Sequence, residues 1–129
     1  MEMIIKKSNN LNYISTSLIV LWVIVKEFIR PKLPQNPLLG AFPNFVGGFV
    51  VYSLLLQSFI FNRLRNTSKL KNRMILFGIL LLLFFSYEEY YPFFTASKTC
   101  DTNDIFASGL GILTVFLLIT YEISKTKKK

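Results

Sequence analysis

The sequence predicts an all-α integral membrane protein, a four-helix bundle with short loops. Three observations predict it. The 129-residue chain is 52% hydrophobic and carries 13 phenylalanines. Its apolar residues come in four blocks of about 18–24 residues, each long enough to cross a hydrocarbon core of about 30 Å as a helix. The charges sit between and after these blocks, whereas the helices of a soluble domain interleave polar and apolar residues.

The first block covers about residues 11–29 around the core SLIVLWVIV. Lys6 and Lys7 precede it, as in a secretory signal, but Lys26, Glu27 and Phe28 follow it where a small-x-small cleavage site would stand, so it is expected to remain as a span. The connector RPKLPQNP contains Pro31, Pro34 and Pro37, a density that predicts an extended crossing. The second block covers about residues 40–61, with Pro43 expected at the first helical turn. Gly40, Asn44, Gly47, Gly48 and Val51 make a stripe of mostly small residues, the kind that lets helices approach closely in membranes. The segment NRLRNTSKLKNR reads as a polar loop carrying Arg63, Arg65, Lys69, Lys71 and Arg73. The third block covers about residues 74–91 and the fourth about 104–122, followed by a basic tail over 123–129.

With four spans, both termini and the middle loop share one side. That side carries 11 of the 15 basic residues, and Lys26, Arg30, Lys32 and Lys98 lie on the other. The positive-inside rule then places both termini in the cytoplasm of a multi-pass cell-membrane protein. The net charge of +8 does not imply nucleic acid, because the basic residues flank apolar blocks and are not interleaved with aromatics on a polar surface. Histidine is absent, the one cysteine is Cys100, and no nucleotide-binding, metalloprotease or hydrolase motif is present.

Asp101, Asp104, Ser108 and Gly111 follow one another at spacings of three, four and three, so a helix places them on one face. Carboxylates at the mouth of a span are costly and usually have a partner or a task. Helical rise brings other polar residues to the same depth. Glu88 lies 14 residues past Met74, or about 21 Å. Asp104 lies 18 residues before Glu122, or about 27 Å, and Asn44 lies 19 before Arg63, or about 28 Å. Glu88, Glu89, Asp101, Asp104, Ser108 and Asn44 are thus expected to converge on one outward-facing site, with Lys98 offsetting part of the charge. The same residues carry a simpler reading. DTND is a helix-start signal in which Asp caps the first turn, and YEEYY has the aromatics of a span end.

The segment KTCDTNDIFASGLG resembles the signature of the VanZ-like family of small bacterial membrane proteins. Members carry an acid near the end of one span, then Arg-x-x-Asp-x-x-Asp, Asn four residues on and Gly three after that. Glu88 or Glu89 corresponds to the first acid, Asp101 and Asp104 to the pair, and Gly111 to the glycine. Lys98 stands at the Arg position and Ser108 at the Asn position, while Tyr91 or Pro92 replaces the usual Gln. The segment GAFPNFVGGF is similar to the Pro-Asn-Phe entry of an earlier span in related sequences. The resemblance implies a protein of the bacterial inner membrane and cell envelope, in a family some of whose members are associated with resistance to the glycopeptide teicoplanin.

Three functions follow as expectations. One is an envelope accessory protein whose acidic site, made by Asn44, Glu88, Glu89, Lys98, Asp101, Asp104 and Ser108, binds a cation or an envelope lipid or glycopeptide head group. Another is a membrane enzyme acting on a lipid-linked substrate with two acids as base and electrostatic partner. The third is an assembly subunit that forms homo- or hetero-oligomers through Gly-rich helix faces.

Overall fold

Lipid offers the backbone no hydrogen bonds, so a chain crossing it satisfies its amides within each span. The computed structural model describes residues 2–33, 36–61, 67–91 and 101–127, and every regular element among them is helical. Helix α1 spans Glu2–Ile24 and continues as a π-helical turn over Val25–Ile29. Helix α2 spans Pro37–Leu55 and ends in a second π-helical turn, Leu56–Phe61. Helices α3 and α4 span Thr67–Tyr90 and Thr102–Lys127. Segments of 20, 22, 22 and 24 residues within them are long and apolar enough to cross a membrane, as a multi-pass protein requires. Large apolar side chains such as Leu80, Leu83, Leu113 and Leu117 face outward on these segments. In water that surface would drive aggregation; in a bilayer it faces lipid tails.

Several element boundaries depart from those the sequence predicts. Helix α2 begins at Pro37, six residues before Pro43, because Asn36 caps it by accepting from the Leu38 amide at 3.0 Å. Pro37 then occupies the first helical position, where the missing N–H costs nothing, and Pro43 lies inside the helix and removes one bond there. The described part of the proline-rich connector is turned, not extended: the Leu33 amide donates to Arg30 O at 3.2 Å, with Pro31 at the second position of the turn. The described part of the expected polar loop, residues 67–73, is helical. Leu70, Met74 and Leu81 are buried at helical spacing, so the core-facing stripe of α3 starts well before its apolar run does, while Lys69, Lys71 and Arg73 point outward.

The helices are ordered α1–α2–α4–α3 across the bundle, and α2 with α4 forms the most extensive interface. In an up-and-down chain the second and fourth helices run parallel, and their contacts confirm it, since Asn44 meets Ser108 while Phe45 and Phe49 meet Gly111. Gly48 and Gly111 make this approach possible. A Cβ on Gly111 would overlap the Phe45 carbonyl oxygen and lie 2.7 Å from the Phe49 nitrogen, and one on Gly48 would lie 3.0 Å from the Ser108 carbonyl carbon. Helix α3 is joined to the pair by Tyr52, which is fully buried and donates from its hydroxyl to the Met74 carbonyl at 2.7 Å. The core runs the length of the bundle from Phe49 through Tyr52 and Val115 to Leu56, Ile119 and Leu11.

Candidate functional site

Parallel packing of α2 and α4 brings their N-terminal ends together, and α3 ends beside them because only a short segment separates it from α4. Asp101 is the N-cap of α4. Its Oδ1 accepts from the Asn103 amide at 2.9 Å, and the Asp104 amide donates to its carbonyl at 3.0 Å. The Asp101 amide in turn donates to Glu89 Oε1 at 2.9 Å, which ties the end of α3 to the start of α4. Asp104, half-buried, is hydrogen-bonded by the side chain of Asn44 on α2 and lies within the electrostatic field of Asp101 and Glu89. Ser108, one turn deeper and buried, donates to the Asn44 carbonyl at 3.3 Å. Asn44 therefore meets α4 twice, through its amide side chain at Asp104 and through its carbonyl at Ser108.

Asn44, Glu89, Asp101, Asp104 and Ser108, contributed by three helices, are thus joined at one end of the bundle. Glu88 is half-buried on the last turn of α3. Lys98 lies outside the described residues, as does Cys100. Gly111 belongs to the packing below the cluster. Of the two DTND carboxylates, Asp101 caps the helix, while Asp104 turns toward α2 instead of serving the cap. Ser108 is committed to the helix interface. Near the same end of α3 the rings of Tyr87 and Tyr91 pack with centroids 5.3 Å apart. Their i, i+4 spacing carried that contact in the sequence, whereas their place at a span end marked them only as interfacial aromatics.

Three carboxylates so close repel one another and favour a positively charged partner. Each carboxylate offers about four acceptor positions, and the bonds above occupy a minority of them. Among the described residues no three acidic or sulfur and nitrogen ligands are spaced to enclose a metal ion.

The cap gives a first prediction. Asp101→Ala should lower unfolding free energy by about 1 kcal/mol, with Asp101→Ser close to wild type because serine caps equally well. Equal losses for both in a denaturant titration would show that the Asp101 charge, not the cap, matters to folding.

No protein-family model, curated protein or solved structure matches the chain.

Proposed function

We propose that this is a VanZ-like membrane protein of the bacterial cell envelope that binds the amine-bearing head group of an envelope lipid at its acidic end. The observation that carries this reading is the convergence of Glu89, Asp101 and Asp104 with Asn44 at one end of α2, α3 and α4. An ammonium donates three hydrogen bonds and carries a charge opposite to that of the carboxylates. The Asn44 bond to Asp104 orients that carboxylate before any ligand arrives, which reduces the ordering cost of binding. The distribution of basic residues, 11 on the side of the termini against four opposite, supports an outward-facing site.

The test is a thermal-shift titration in detergent with short-chain phosphatidylethanolamine, and phosphatidylglycerol as the amine-free control. At 100 times Kd the amine lipid should stabilise the native protein by about 2.7 kcal/mol. Combined Asp101→Asn and Asp104→Asn substitution should abolish that shift, since asparagine still caps but carries no charge. An undiminished shift in the double variant would sink the proposal.

The orientation has its own check. Asn103 is exposed beside the cluster. With Cys100→Ser as background, Asn103→Cys should react with a membrane-impermeant maleimide on intact cells, and a cysteine placed at Ser8 only after permeabilisation. The opposite pattern would put the acidic end in the cytoplasm.

A further inference from the structure

Below the acidic end an apolar groove runs between α3 and α4. Leu82 and Gly109 lie at its upper end, Gly78 and Leu113 along its walls, and Phe116 at its lower end, with buried Tyr52 as its floor. It exists because Gly78 and Gly109 carry no side chains. A Cβ at Gly78 would sit 3.4 Å from Ile112 Cγ2 and 3.5 Å from the Tyr52 hydroxyl, and one at Gly109 would sit 3.4 Å from Leu82 Cδ1. Both are ordinary contacts, in contrast to the overlaps at Gly48 and Gly111, so these two glycines are not needed for the helices to meet. The groove lies wholly within the segments Pro37–Ser58, Lys69–Tyr90 and Thr102–Lys125 that are apolar enough to span a membrane. Whatever fills it comes from the hydrocarbon phase.

We propose that this groove holds one acyl chain of a phospholipid, the same lipid whose head group the acidic end binds. The register supports one molecule reaching both places. Glu89 lies seven residues above Leu82 on α3, on the same helical face and about 10 Å along the axis. That offset leaves room for a glycerol and phosphate between an amine at Glu89 and the first methylenes of a chain at Leu82. From Gly109 to Phe116 the groove then runs seven residues, or about 10 Å, far enough to take the upper half of a chain. The assignment of the chain stands on the groove; its link to an amine head group rests on the function proposed above.

The experiment reconstitutes the full protein in vesicles of phosphatidylethanolamine and phosphatidylglycerol doped with a probe carrying a diazirine on its acyl chain, either an amine-bearing phosphatidylethanolamine or an amine-free phosphatidylglycerol. Photolabelled residues are then located by peptide mass spectrometry. Labelling should concentrate on the groove residues Gly78, Ile79, Leu82, Gly109, Ile112 and Phe116, above the level at outward-facing Leu76, Leu80 and Leu83. Gly109→Leu should bring groove labelling down to that background, with Gly109→Ala intermediate and both variants melting as the wild type does. Labelling spread evenly over all lipid-facing residues overturns the proposal. Cross-linking of two chains through the groove in place of lipid also overturns it, in favour of a second copy as occupant. The Asp101→Asn/Asp104→Asn variant separates the two readings. Loss of preference for the amine-bearing probe with groove labelling retained supports both, whereas wild-type preference in that variant overturns the shared-lipid link and leaves the chain in the groove.

Discussion

Gly111→Leu is expected to prevent α2 from closing on α4. The position faces backbone, not a side chain that could swing aside: the added Cβ would meet the Phe45 carbonyl and the Phe49 amide nitrogen of α2. Overpacking a core costs about 1–3 kcal/mol when side chains give way, and main-chain atoms of a helix cannot give way without moving the whole element. The bundle's most extensive interface would therefore separate. The Asn44 bonds to Asp104 and Ser108 would go with it, so head-group binding should be lost together with stability. Gly48→Leu should behave alike, because its Cβ would meet the Ser108 carbonyl. Gly47→Leu supplies the control, since a Cβ there meets nothing within 4 Å. The measurement is the unfolding midpoint and the monodisperse fraction in mild detergent. A Gly111→Leu protein as stable as the Gly47→Leu protein would refute the close approach of α2 and α4.

Tyr52→Ala should be the most damaging substitution outside the glycines. Tyr52 is fully buried and sits where α2, α3 and α4 meet. Removing a large aromatic from such a site costs about 3–5 kcal/mol, and in lipid this loss is chiefly of van der Waals packing. The hydroxyl adds a smaller part. Tyr52→Phe keeps the ring and deletes only the bond to the Met74 carbonyl, for about 0.6–1.5 kcal/mol. Comparing the two by denaturant titration separates packing from hydrogen bonding. A Tyr52→Phe loss equal to the Tyr52→Ala loss would assign the whole effect to the bond. Because α3 has few other contacts with α2, its exchange protection should fall before that of α4 in the alanine variant.

Much of the site's geometry was legible before any coordinates. The spacings from Asp101 to Gly111 specify one helical face, and counting residues from the ends of the spans brings Asn44, Glu88 and Asp104 to a common level. Which polar atoms meet was not legible. Asp101 and Asp104 are equivalent as sequence, yet one caps its own helix and the other turns to Asn44. That division depends on where α2 stands beside α4. The two misplaced helix starts have local causes. Pro37 and Pro43 both suit a first turn, and the choice falls to Pro37 because Asn36 precedes it with a side chain able to cap. The polar run before Met74 hid a helix because its core-facing residues, Leu70 and Met74, are only one in four.

The sequence by itself determined the number of the helices and the solvent they are built for. Those are local properties: each span must be continuously apolar and must satisfy its own backbone, whatever its neighbours do. Only the tertiary structure decided which glycines matter and which polar groups pair. In lipid an apolar side chain is as well accommodated outside the bundle as inside, so hydrophobicity does not mark the packing face. The face is chosen where two small-residue stripes can bring backbones together. Gly48 and Gly111 do so, Gly47 does not, and Asn44 finds Asp104 as a consequence.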